Sequence, residues 1–294
     1  MTIQTAYKSN KARDKALTSY ENILNHWPVF YEQRMVTTSF GETCIMVSGS
    51  QGAKPLVLLH GGGGNSTMWS DNVASLSKYF QVYAIDIIGE AGKSSGTRPS
   101  YKSDGHARWL KEVFDELEIH EAALCGASLG GTIAQQFALV FPQHVTSLIL
   151  LAPPSLFKMQ PSFLFHAILA NIFPTNFFAT RFLKYISARG NKFSKQEIQA
   201  FIIQIQAYRP NMDKIPIISD HDLAQLPHKT LVLLGQDEVL YDPEAVVSRI
   251  RSVAPFITIA MIPGAKHMTS VDQPDLVNDK IIQFLNKEWS VSAV

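Results

Sequence analysis

Cysteine is scarce. Cys44 and Cys125 are the only two in 294 residues, which excludes a disulfide framework, and their wide separation gives no metal-binding spacing. They read as buried free thiols in a reducing compartment, so the expected location is cytoplasmic. Charge is scarce as well. Charged residues make up 17% of the chain and the formal net charge is +1, so no general attraction to nucleic acid or an anionic membrane is implied. An apolar leader is missing: the first twenty residues, MTIQTAYKSNKARDKALTSY, are polar, and neither a signal peptide nor an anchor is expected there. The aromatic-rich stretch from Pro154 to Leu226 is interrupted by Asn171, Pro174, Asn176 and Arg181, which argues against stable insertion into a membrane. There is no internal repeat and no low-complexity tract. What is present, 46% hydrophobic residues, suffices for a large core in one domain with room for an insertion.

The apolar residues are arranged in runs. KPLVLLHG (54–61), FQVYAIDI (80–87), EAALCGAS (121–128), VTSLILLAP (145–153), KTLVLLGQDE (229–238) and FITIAMIPGAKH (256–267) are near-continuous hydrophobic strands, the pattern of strands buried on both faces of a parallel sheet. Between them lie helical patterns at 66–78, 103–117, 129–141, 243–253 and 274–286. This alternation predicts an α/β fold, a mostly parallel central sheet flanked by helices, with ligands bound outside the carboxyl ends of its strands. From 154 to 226 the alternation stops. Phe165, Ile168, Leu169, Ile172 and Phe173 recur at helical spacing, as do Phe178, Phe182, Tyr185 and Ile186. Ser194 with Glu197 forms a capping-box signature ahead of Ile198, Phe201, Ile202 and Ile205. The expected organisation is an appended N-terminal helix in 1–29, a core made of 30–153 and 227–294, and a helical cap inserted at 154–226. The cap's apolar stripes are expected to pack on the domain beneath and to roof an apolar pocket.

One serine sits in unusual surroundings. Ser128, in Leu-Cys-Gly-Ala-Ser-Leu-Gly-Gly (124–131), ends a strand and precedes a helix. A serine on so sharp a turn needs an unfavourable backbone conformation and small residues two before and two after it, where strand and helix approach. Gly126 and Gly130 hold those positions. The helix N-terminus adds a positive dipole and free N–H groups beside the hydroxyl. A phosphate loop is the competing reading, but its Lys-Ser/Thr pair and G-x-G-x-x-G spacing are absent. A nucleophilic serine requires a base, and the base an orienting acid. His267, in Gly-Ala-Lys-His-Met just past the last strand, is the best-placed base; His120 and His228 precede strands and fall at the opposite sheet edge. The acid should follow another strand at the same edge. Asp237, directly after LVLLGQ, is favoured, with Glu238 and Asp242 as near alternatives; Asp242 before Pro243 also reads as a helix cap. Past strand 54–59 comes His60 followed by Gly61, Gly62, Gly63 and Gly64. One N–H of this unshielded run, with that of Leu129, can bind an oxyanion. His60 reads as a structural partner of the loop rather than a base.

Taken in order, the HGGGG loop, the GASLG turn, the acid in GQDE and the histidine in GAKHM resemble the α/β-hydrolase superfamily, in its branch of capped single-chain serine esterases. Asp86-Ile-Ile-Gly-Glu-Ala-Gly-Lys-Ser94 also resembles that family's D-x-x-G-x-G-x-S turn, with one residue added after Gly89. The resemblance spans roughly 30–288 and implies the α/β-hydrolase fold. It implies Gly62 and Leu129 as oxyanion donors. The expected activity is hydrolysis of carboxylic esters with short-to-medium apolar groups, through Ser128, His267 and Asp237 and an acyl-enzyme, on a small-molecule ester, with no metal or organic cofactor. The sequence leaves the oligomeric state open. Dehalogenases and epoxide hydrolases carry an aspartate where Ser128 stands. C–C bond hydrolases and proline iminopeptidases usually carry a proline in the loop where this chain has Gly64-Asn65. Thioesterases, lactonases and perhydrolases share the machinery. The alternative of another class is a triad-bearing small-molecule sensor that signals through a partner protein.

Overall fold

Five of the predicted strands are buried at nearly every position, so each must be covered on both faces. They are β3 (Pro55–Leu59), β4 (Gln81–Ile85), β5 (Ala122–Ala127), β6 (Val145–Leu151) and β7 (Thr230–Gly235), with β8 (Thr258–Ile262) half-buried at one edge. In the computed structural model, which describes residues 6–188 and 193–286, these six pair in parallel. The first residues of the expected N-terminal helical segment lie outside the described residues; the helix itself, α1, runs Asn10–Leu24 and is capped by Ser9. At the other edge β1 (Tyr31–Thr38) and β2 (Gly41–Ser48) form an antiparallel hairpin that joins β4. The eight strands run β1-β2-β4-β3-β5-β6-β7-β8. The hairpin extends the expected sheet.

Alternation along each strand divides the core in two. Val57, Leu59 and Leu124 face one side, with Trp109 of α3 (Gly105–Glu116), Phe137 of α4 (Leu129–Val140) and Val246 of α9 (Pro243–Val253). Leu56, Leu58 and Cys125 face the other, with Tyr20 of α1, Val73 of α2 (Ser70–Leu76) and Ile281 of α11 (Pro274–Leu285). From β3 the chain crosses to β4 on one side and later returns to β5 on the other. The segments after β3 and β5 therefore diverge from adjacent strand ends, the crevice where ligands bind in such sheets.

Among the described residues, four helices stand between β6 and β7: α5 (Pro161–Ile172), α6 (Asn176–Ile186), α7 (Lys195–Ala207) and α8 (Asp220–Ala224). The Ser194–Glu197 capping box forms at the start of α7, with both reciprocal bonds present. Ala170, Ala179, Ile202 and Ile205 make a small core of their own, with Phe182 and Phe201 against it. One expectation is corrected. Phe165, Ile168, Ile172 and Phe173, read as packing on the domain beneath, are 50–63% exposed. The contacts of α5 are made instead by Ala170 and by Phe163, which packs against the main core. Among the described residues no helix is long and apolar enough to cross a membrane.

Candidate active site

Ser128 is the residue between β5 and α4, with φ 49° and ψ −116°. That left-handed conformation is costly for a residue with a side chain and persists only where the surroundings impose it. The surroundings are the two glycines: a Cβ on Gly126 would stand 2.3 Å from the Gly130 carbonyl oxygen, and one on Gly130 would stand 2.2 Å from that of Leu59. The Ser128 amide donates to Leu151 O at 2.8 Å, which fixes the turn to β6.

His267 arrives from the loop after β8, and its Nε2 lies 3.0 Å from Ser128 Oγ. The loop is held by the inserted helices: Met268 N donates to Ile186 O at 3.2 Å, and Lys266 Nζ to Tyr185 O at 3.0 Å. Phe163 of α5 meets the imidazole edge-on, ring centroids 5.8 Å apart, with Phe182 of α6 behind it at 6.0 Å from Phe163.

The carboxylate that meets His267 is Glu238, one residue beyond the Asp237 that the sequence reading favoured. Asp237 is exposed and its carboxylate makes no bond among the described residues; its backbone N–H donates to Ala265 O at 3.0 Å. Glu238 is the buried carboxylate, with Oε1 3.1 Å and Oε2 3.2 Å from His267 Nδ1. Its Oε1 also accepts the amides of Val239 at 2.7 Å and Leu240 at 2.8 Å. A carboxylate held by two amides accepts from the imidazole, so Nδ1 carries the proton and Nε2 is free to accept from the serine hydroxyl. Asp242, the other alternative, caps α9 through Glu244 N at 3.1 Å.

The glycine loop lies against this turn: a Cβ on Gly61 would meet the Ser128 Cβ at 3.6 Å, and one on Gly62 the Leu129 side chain at 3.5 Å. Its amides are mostly spent. Gly61 N donates to Met68 Sδ at 3.2 Å, Gly63 N to Glu90 Oε2 at 2.6 Å and Gly64 N to Gly61 O at 3.0 Å. The amides of Gly62 and Leu129 have no acceptor among the described residues. One of these N–H groups stands at the N-terminus of α4, next to Ser128 in the chain, and the other is in the loop packed against that turn. His60 accepts from Ile87 N at Nε2, 2.9 Å, so its Nδ1 donates to Gly61 O at 2.8 Å. Complete burial holds His60 below the usual histidine range, and it serves the loop as a neutral strut.

The chain and its fold are matched by known proteins. The profile of the alpha/beta hydrolase fold covers residues 54–203, and the carboxylesterase nap of Bacillus subtilis is 36% identical over 93% of this chain and 93% of its own length. The chain belongs to the α/β-hydrolase family. The carboxylesterase YbfK of Bacillus subtilis is 30% identical over 91% of this hydrolase and 92% of its own length. The crystal structure of naproxen esterase (carboxylesterase NP) from Bacillus subtilis superposes with a TM-score of 0.86 at 32% identity, over 95% of this chain and 100% of that one. The hydrolase stands in the family's carboxylesterase-like branch, among ester hydrolases. Sequence reading missed the part played by Glu90. The one signal for it is the residue added to the Asp86–Ser94 turn. Among the described residues no group of three or more His, Cys, Asp or Glu side chains is placed to hold a metal ion.

Proposed function

We propose that the hydrolase cleaves carboxylic esters by acyl transfer to Ser128. The observation that carries this reading is the Ser128 Oγ–His267 Nε2 contact of 3.0 Å, backed by Glu238 on Nδ1. Ser128 Oγ attacks the ester carbonyl as His267 Nε2 takes its proton. The imidazolium so formed is stabilised by the Glu238 carboxylate, which stays ionised throughout. Negative charge gathers on the former carbonyl oxygen, and the Gly62 and Leu129 amides receive it. The tetrahedral species collapses, the C–O bond to the alcohol breaks, and His267 returns the proton to the leaving oxygen. Water then enters, gives a proton to His267 and attacks the acyl carbon; the acid departs and Ser128 recovers its proton. Phe163 offers an apolar face beside His267, with Phe182 behind it, which supports a short-to-medium apolar acyl or alkyl group.

The test is a p-nitrophenyl ester series from acetate to laurate on the native protein and on Ser128→Ala. Turnover is expected for the short and medium esters, with kcat falling by about a thousandfold or more in the variant. Undiminished hydrolysis by Ser128→Ala would refute the assignment of the nucleophile.

A further inference from the structure

The turn from Asp86 to Ser94 and the glycine loop are knotted together. Ser66 N and Oγ donate to Asp86 Oδ1 at 2.8 and 2.7 Å, and Asn65 Nδ2 to Ala91 O at 3.1 Å. Within this knot Glu90, 2% exposed, extends a carboxylate from the position where the turn is one residue longer than its family pattern. Oε2 accepts Gly63 N at 2.6 Å and Tyr208 Oη at 2.7 Å; Oε1 accepts Tyr101 Oη at 3.3 Å. Burial and the Glu90 charge push both tyrosine hydroxyls well above the usual range, so both remain protonated donors. Arg98 lies over the Tyr208 ring at 5.5 Å.

The position of the Gly63 amide gives this carboxylate a consequence. Gly62 is flanked by two peptide planes. The one before it is held through Gly61 O by His60 Nδ1. The one after it is held through Gly63 N by Glu90, and the next, between Gly63 and Gly64, is held through Gly63 O by Gln204 Nε2 at 3.0 Å. The Gly62 N–H lies in the first of these planes, whose Gly61 O also accepts Gly64 N at 3.0 Å; a run of four glycines has no side chains to fix its dihedrals, so the bonds on the two sides of Gly62 together restrain the turn that aims its N–H. A hydrogen bond to a carboxylate is the stronger kind.

We propose that Glu90 is a positioning residue for ester hydrolysis: it locks the peptide plane after Gly62 and so restrains the Gly62 dihedrals, keeping the Gly62 amide in the plane before aimed at the developing oxyanion, and Tyr208 ties this lock to the end of α7. The proposal rests on the acyl-transfer reading of Ser128. Glu90 touches no reacting atom. Its negative charge by itself would oppose an oxyanion nearby, so position and charge predict opposite results when the carboxylate is removed.

The experiment compares the native protein with Glu90→Ala, Glu90→Gln and Tyr208→Phe. It measures kcat and KM for p-nitrophenyl butyrate and the Ki of an alkylboronic acid, which adds to the serine as a tetrahedral mimic. A misaimed donor costs less than a deleted one, so in Glu90→Ala kcat should fall about 10- to 100-fold while KM moves less than about threefold. The boronate Ki should rise by the same factor as kcat falls. Glu90→Gln, whose amide oxygen can accept Gly63 N and Tyr208 Oη, should recover most of the loss. Tyr208→Phe keeps the carboxylate and should lose about three- to tenfold with the same parallel in Ki. A purely structural role would lower the melting temperature without that parallel. Unchanged or raised kcat in Glu90→Ala, or a lower kcat with unchanged boronate affinity, overturns the proposal. Should Glu90→Ala fail to fold, native kcat and Ki in Tyr208→Phe overturn it equally. Failure of the acyl-transfer reading is separately visible: the boronate would then not inhibit the native protein, and Ser128→Ala would retain activity.

Discussion

At the scale of single residues, the site turns on which of two adjacent carboxylates faces inward. Glu238→Gln keeps the shape but removes the charge proposed to fix the tautomer of the neutral imidazole and to stabilise the imidazolium. Its kcat should fall about 10³- to 10⁴-fold. Asp237→Asn, changing an exposed side chain, should stay within about twofold. Equal losses in the two variants, measured as kcat on a p-nitrophenyl ester, would contradict the geometry. Ser128 and His267 were legible because chemistry restricts them to strand ends and because Gly126 and Gly130 announce a turn with no room for a Cβ. The carboxylate that meets His267 was not, because three carboxylates follow β7 within seven residues and each satisfies the same rule. Choosing among them needs the path of the turn. Once Asp237 N is tied to Ala265 O, successive side chains point apart and the next residue enters the core.

At the scale of elements, propensity located the helices and strands better than their surroundings. α9 begins and ends where Pro243 and Val253 predict, because a proline at the first turn after an Asp cap is a local instruction. The β1–β2 hairpin went unread because β1, YEQRMVTT, has polar residues on its open face and no long apolar run. The exposed face of α5 was misread because a helical stripe carries no information about which partner it meets. Phe165→Gln and Ile168→Gln should accordingly alter stability by only about 0.5 kcal/mol each, read from urea unfolding. A loss of about 3 kcal/mol, the scale of a buried large-to-small change, would place that face inside.

At the scale of the whole molecule, two buried histidines set the response to acid. His106, stacked on Tyr101 at 5.2 Å, is lowered to about 4, chiefly by burial and in part opposed by Asp213; His60 is lowered in the same direction. An unfolded histidine titrates near 6.5, so between about 6.5 and 4 the unfolded chain binds a proton that the folded protein excludes. Stability is thus fully present above about 6.5 and declines as pH falls toward 4, by about 3 kcal/mol for His106 alone. In urea titrations from pH 7 to 4, His106→Phe should have a shallower decline than the native protein. An identical slope would show that His106 carries no such linkage. The mostly parallel sheet flanked by helices followed from strand and helix alternation; its strand order, with the β3/β5 crevice, did not. The added residue at Glu90 was visible in the sequence, but its use depends on Tyr208, 118 positions away, and no local rule joins them.

The two cysteines mark different depths of that sheet. Cys44 lies on β2 in the antiparallel part and Cys125 on central β5, three residues before Ser128; both are fully buried. Burial pushes the Cys44 thiol up to about 12 and raises Cys125 as well, so neither reacts as a thiolate while the sheet is closed. Alkylation of each therefore clocks the opening of its own strand. The order in which they are modified distinguishes a hairpin that peels off first from a sheet that opens as one, without any label being introduced.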